Sequence, residues 1–176
     1  MDKSEVLKYP DPRLRRVAKK VTEVTPEIRQ RAEQMFALMV EDKGIGLAAP
    51  QIGWNIRLFV MNVSGDPEDN LALLNPVIAT KAGRSTMEEG CLSLPGIYAK
   101  VTRAEKIVIE GTTLEGDEVT VEAEGLTARC ILHEYDHLDG ILFTDKVSPI
   151  RKRSLKKKLK ILEDVYKEKH GSVSAK

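Results

Sequence analysis

Leu126-Thr127-Ala128-Arg129-Cys130-Ile131-Leu132-His133-Glu134-Tyr135-Asp136-His137-Leu138 predicts a helix that is apolar on nearly every face, yet it holds two imidazoles and a carboxylate. An all-round apolar helix belongs in a core. Histidines four apart lie one turn apart on the same face, with Cβ atoms about 5–6 Å apart, so both rings can converge on one cation. Glu134 is rotated about 100° from His133 and can reach a metal-bound water without being a ligand. This is the His-Glu-x-x-His pattern, with the glutamate as general base. Burying these groups without a partner is unfavourable, and a cation supplies the compensation. A catalytic site of this kind needs a third protein ligand. The third histidine, His170, sits in a polar tail, and Glu163 and Glu168 lie among lysines and read as their solvated partners. Cys91 is the stronger candidate, in Glu88-Glu89-Gly90-Cys91-Leu92-Ser93-Leu94-Pro95-Gly96, where glycines and a proline bend the backbone. Cys130, one turn before His133, reads as packing, although spacing alone leaves it open as a ligand.

Around this helix the chain predicts an α+β domain. Tyr9-Pro10-Asp11-Pro12 has turn chemistry. Thr25-Pro26 reads as an N-cap with proline at the first helical position. Ile28, Ala32, Met35, Phe36, Met39 and Val40 follow at helical spacing, and glycines 44 and 46 stop the helix. Residues 56–63, 71–78, 106–111 and 119–123 are rich in Val, Ile and Leu and bounded by turn residues, so they predict strands. Their connections are too short for crossover helices, which makes the sheet mostly antiparallel. A terminal helix is expected over about 150–169, with a disordered tail over about 170–176, all within one domain spanning 1–176.

The chain has 176 residues, 41% apolar and 31% charged, which excludes disorder and a membrane-spanning class. Met1-Asp2-Lys3-Ser4-Glu5 lacks the apolar run of a signal peptide, so a cytoplasmic location is expected and the two cysteines are read as thiols. The net charge of +1 gives no reason to expect DNA or another nucleic acid as a partner on bulk grounds. Its distribution is uneven. Arg151, Lys152, Arg153, Lys156, Lys157, Lys158 and Lys160 put seven positive charges in ten residues, leaving 1 − 7 = −6 for the rest.

Gly44-Ile45-Gly46-Leu47-Ala48-Ala49-Pro50-Gln51 superficially fits a dinucleotide fingerprint, but a helix precedes it and Pro50 follows, so nucleotide binding is rejected. Its exposed backbone can instead hold a peptide. Together, Gly44–Gln51, Glu89–Pro95 and His133–His137 resemble, in order and spacing, the three signature motifs of peptide deformylases; Pro10–Arg15 resembles a segment near their start. The resemblance spans about Val6 to Ile150. It implies a mixed, largely antiparallel sheet wrapped around the His-bearing helix, and a C-terminal helix. It also implies one divalent metal held by Cys91, His133 and His137, commonly ferrous iron in cells, with zinc, nickel or cobalt able to substitute. The implied reaction removes the N-formyl group from the formylmethionine of nascent peptides and releases formate. Glu134 would act as the base, Gln51 and the Leu92 N–H would meet the oxyanion, and the backbone near Ile45, Gly46 and Gly90 would pair with the peptide as an added strand. Ile45 is also a candidate for the methionine pocket.

One departure is visible. Many bacterial members carry arginine shortly after the cysteine motif, where this sequence has Tyr98, and Arg103 is the candidate substitute. The basic terminal helix, with Leu155, Leu159, Leu162 and Tyr166 as its apolar stripe, resembles one with which bacterial relatives contact ribosomal RNA. Two rival readings remain. A metallopeptidase or aminopeptidase predicts a carboxylate as third ligand, and a catalytically silent ribosome-binding protein with a structural metal predicts a fourth ligand such as Cys130.

Overall fold

Thr25 opens α1 (Pro26–Glu41), its Oγ1 accepting the Ile28 N–H at 3.4 Å, with Pro26 at the first helical position. In the computed structural model, which describes residues 5–171, this helix ends before the glycines that were expected to stop it. Asp42 caps it, and Lys43 turns the chain out with φ 58°. Gly46 already belongs to the next strand. Ile28, Ala32, Met35 and Met39 are buried, whereas Val40 is 68% exposed and lies outside the apolar face expected of it.

Five strands form one sheet in the order β1 (Gly46–Ala48), β2 (Leu58–Met61), β3 (Leu71–Ala82), β6 (Lys106–Thr112), β7 (Glu118–Glu124). A separate hairpin pairs β4 (Ser85–Glu89) with β5 (Ala99–Arg103). Every named strand pairing is antiparallel, and the parallel component is the isolated bridge between Lys19 and Ile56. β3 runs four residues past the expected end. Its register shifts between Leu74 and Val77, where Pro76 has no N–H to give to the ladder. Asn75, at φ 49°, turns its side chain to the Val21 main chain, accepting from N at 2.8 Å and donating to O at 2.7 Å.

β2 is buried on both faces, which explains its unbroken Leu58-Phe59-Val60-Met61 run. Leu58 and Val60 pack with Ala32, Met35 and Met39 of α1. Phe59 and Met61 pack with Ala128, Ile131 and Leu138 of α2 (Gly125–Leu138). The sheet thus lies between the two helices, with α1 on one face and α2 on the other. A third cluster joins Leu155, Leu159 and Leu162 of α3 (Pro149–His170) to Leu94, Ile97, Val101 and Phe143. α3 is one residue longer at each end than expected. His170 is its last residue, stacked on Tyr166 with ring centroids 4.1 Å apart, rather than the start of a tail. The rest of the expected tail, from residue 172, lies outside the described residues. No helix among the described residues is long and apolar enough to cross a membrane.

Candidate active site

α2, the β1 segment and the loop after β4 meet at a cleft of about 640 Å³. Gly44, Ile45 and Gly46 line one side, Glu88 to Leu92 and Tyr98 another, and Cys130, His133 and Glu134 the floor. Cys91, His133 and His137 each offer one donor atom, and these atoms lie within 4.8 Å of one another. The Cys91 sulfur is 3.3 Å from His137 Nε2. His133 turns its Nδ1 to Glu89 Oε2 at 3.0 Å, which leaves Nε2 for the cluster. A thiol and two imidazoles suit a divalent transition metal. Glu134 Oε2 is buried and has no hydrogen-bond partner among the described residues, as expected of a carboxylate that serves a water at such an ion.

The other ligand candidates are elsewhere. The Cys130 thiol is directed to the Ile45 carbonyl at 3.4 Å. Glu163 interacts with Lys160 and also accepts a hydrogen bond from the Tyr9 hydroxyl at 3.0 Å. His170 Nδ1 bonds Tyr166 O at 3.0 Å at the far end of α3.

Charge in this site is set by burial and by a network that periodicity does not reveal. Burial pushes the Glu134 carboxyl up to about 7, against the opposing pull of His133 and Arg103, which suits a group that both takes and returns a proton. Burial also holds His137 well below its ordinary value, with His133 acting in the same direction. On His133 burial is outweighed by Cys91 and Glu89, which hold it well above. Burial works against a charge on Glu89 too, but hydrogen bonds from His133 and Arg103 hold it at about 2. Glu89 receives Arg103 at 2.5 and 2.9 Å and Arg129 at 2.6 Å. Arg103 also reaches Asp136 at 2.8 Å, which Lys146 meets at 3.1 Å. Arg103 is therefore buried and committed to two carboxylates, and it cannot replace the missing arginine at the cleft. Tyr98 does face the cleft; its ring covers Gly90, where a Cβ would sit 2.6 Å from a ring carbon.

Gln51 is buried in a short 3-10 turn (Ala49–Ile52). Its Oε1 accepts the Ala48 N–H at 2.8 Å, which fixes the amide so that Nε2 donates to Ser93 Oγ at 3.1 Å and to the Cys91 sulfur at 3.6 Å. Leu92 lies in the same wall, one residue past Cys91. β1 has β2 on one side and no named strand on the other, and β4 likewise pairs only with β5. The Ile45 carbonyl accepts the Asn62 N–H at 2.9 Å, so it points into the sheet. By strand alternation Gly46 presents its N–H and C=O to the open edge, and Ile45 is left to contribute its side chain, 40% exposed.

Residues 3–153 match the family described as polypeptide deformylase. A peptide deformylase from Neisseria gonorrhoeae is 46% identical over 155 residues, covering 88% of this chain and 93% of that one. One from Chromobacterium violaceum is 44% identical over the same shares of the two chains. The crystal structure of a peptide deformylase from Legionella pneumophila matches with a TM-score of 0.86 and 38% identity, over 92% of this chain and 96% of that chain. Peptide deformylase 1B of Arabidopsis thaliana, in complex with an inhibitor, matches with a TM-score of 0.92 and 37% identity, over 98% and 97%.

Proposed function

Since the chain belongs to the polypeptide deformylase family, whose members are hydrolases that remove the N-formyl group from nascent peptides, we propose that Cys91, His133 and His137 hold the divalent ion and that Glu134 is the catalytic base. The observation that carries this reading is the convergence of the three donor atoms within 4.8 Å beside a buried, unpartnered Glu134 oxygen. When bound, such an ion lowers the pKa of water and polarises the formyl carbonyl. Glu134 takes the proton from the attacking water and returns it to the leaving amine. The fixed Gln51 amide and the Leu92 N–H donate to the oxygen on which negative charge develops. The peptide adds as a strand along the cleft between the open edges at Gly46 and Gly90, which accommodates varied sequences because main-chain bonds do the holding. Ile45 contributes an apolar side chain to the pocket for methionine.

The donor set does not choose among first-row metals; ferrous iron is the ion proposed for the cell, with zinc, nickel or cobalt able to replace it. The chain is read as one deformylase domain working in the cytoplasm. The basic face of α3 is proposed to meet ribosomal RNA phosphates: Arg151, Lys152, Arg153, Lys156, Lys157 and Lys158 are all exposed while Leu155 anchors the helix. Ribosome pelleting that weakens steeply with salt is the expected result, and binding that is absent or insensitive to salt would discard this contact.

The deciding assay is formate release from a formyl-Met-Ala-Ser peptide by protein purified without oxygen and supplied with ferrous iron. Release that stops on chelation is expected. Glu134→Gln should lower kcat by roughly 10²–10⁴-fold while one metal stays bound. Near-normal turnover in that variant would remove Glu134 from its role, and no formate from metal-replete protein would overturn the assignment.

A further inference from the structure

The segment Leu7–Tyr9 runs beside the site, with Lys8 at the rim of the cleft, and touches three parts of it. Leu7 N donates to the Gln51 carbonyl at 2.7 Å and Tyr9 N to the Ser93 carbonyl at 2.8 Å. Lys8 Nζ donates to the Leu92 carbonyl at 2.8 Å. Both walls that supply the proposed oxyanion donors are therefore pinned by three consecutive residues. The segment is in turn fixed from behind. Leu7 and Tyr9 pack in the cluster that contains Cys91, Leu155, Leu159 and Leu162, and the Tyr9 hydroxyl donates to Glu163 of α3. Burial and the Glu163 carboxylate push the Tyr9 phenol above its ordinary value, so it remains a donor throughout the physiological range.

We propose that Lys8 and Tyr9 are positioning residues, forming a strap that ties the C-terminal helix α3 to the loop Cys91–Ser93 and so holds the Leu92 N–H and Gln51 in catalytic register. The proposal rests on the reading of Leu92 and Gln51 as oxyanion donors. Neither residue touches the reacting atoms. Lys8 is exposed at the rim of the cleft, and Tyr9 acts through the main chain of Ser93. The consequence is that α3 is more than a docking arm, because the Tyr9–Glu163 hydrogen bond, added to the apolar packing of the helix, couples its seat on the domain to the geometry of the oxyanion site.

The test measures hydrogen exchange by mass spectrometry alongside steady-state formate release, on the full metal-loaded chain. Tyr9→Phe, Glu163→Ala and Lys8→Met should each speed exchange in peptides covering 91–94 by roughly three- to tenfold, the range expected for losing one hydrogen bond. They should lower kcat by a similar factor with KM nearly unchanged. Glu163→Gln, whose amide oxygen can still accept from Tyr9, should restore both, and Lys106→Ala on β6 should change neither. Unchanged exchange in the first three variants overturns the strap, and so does a Glu163→Gln variant as loose as Glu163→Ala. Faster exchange with kcat within twofold of wild type overturns its catalytic role. If the unmodified chain releases no formate while exchange responds as described, the deformylase reading fails and the tie between α3 and the loop stands.

Discussion

Substitution of Gly46 by alanine separates steric positioning of the base from its chemistry. A Cβ built at residue 46 would lie 2.5 Å from Glu134 Oε1, 2.9 Å from Glu134 Cδ and 2.9 Å from the Cys130 sulfur. Glu134 is 4% exposed and its helix neighbours are packed, so relief on that side is poor. Cys130, 4% exposed, blocks the other side. To regain ordinary van der Waals separation the carboxylate has to retreat by roughly 1 Å. A displacement of that size in a catalytic group costs about 100-fold in rate, or roughly 2.7 kcal/mol of barrier. Overpacking should also lower stability by about 1–3 kcal/mol. The assay is kcat for formate release with metal content measured on the same sample and a urea melt as control. Gly46→Ala is expected to bind one metal per chain, melt cooperatively at a lower urea concentration, and turn over about 100-fold more slowly. A kcat within twofold of wild type in a folded, metal-replete variant would refute the claim that the backbone at residue 46 sets the position of the base.

Arg103→Met leaves the buried Glu89 and Asp136 short of their shared cation and should lower unfolding free energy by about 3 kcal/mol in urea; a loss under 1 kcal/mol would show that Arg129 and Lys146 suffice. Glu89→Gln removes the carboxylate that orients His133 and should weaken metal affinity by roughly 10–100-fold in a chelator competition, and unchanged affinity would exclude that role. Hydrogen bonds from Arg13 hold the Asp11 carboxyl below its usual range. A depressed folded value contributes stability above the unfolded value, and that stability is lost as pH falls through the folded value. The urea midpoint should therefore drop more steeply below about pH 4 in wild type than in Asp11→Asn, and parallel curves would rule this out.

The helices α1, α2 and α3 and four of the seven strands among the described residues were legible because each has a period or an apolar run that burial on one or two faces demands. The β4–β5 hairpin and β1 were not. β4 reads Ser85-Thr86-Met87-Glu88-Glu89, with only its last residue buried, and β5 alternates Ala99, Val101 and Arg103 inward with Lys100 and Thr102 outward. A buried arginine on the inward side hides the strand pattern, and three residues are too few for β1 to show one. Around the site, the His-Glu-x-x-His spacing drew attention to the helix, whereas Glu89 next to Glu88 looks like one of two solvated acids. A signal was nevertheless present. α2 is apolar enough to be buried all round, yet it carries Arg129, Glu134 and Asp136, and buried charges require partners from elsewhere in the chain. That requirement identifies which residues need partners but not which residues supply them, and Arg103 supplies one only because the hairpin folds it inward.

The same charges favour a divalent ion. Glu89, Glu134 and Asp136 are buried carboxylates. Arg103 and Arg129 answer Glu89, and Arg103 also answers Asp136, which Lys146 meets from the surface. Glu134 has no such ion pair among the described residues, and burial pushes its carboxyl up to about 7. A divalent cation held by Cys91, His133 and His137 would supply the missing positive charge, favouring the ionised form of Glu134 beside it and the thiolate of Cys91. Cys130 keeps its contact with the Ile45 carbonyl, and burial, with Glu134 and Glu89 nearby, pushes its thiol well above the ordinary value. A closed four-ligand structural site would break that contact and bring a second thiolate beside Glu134, whereas three protein ligands avoid both.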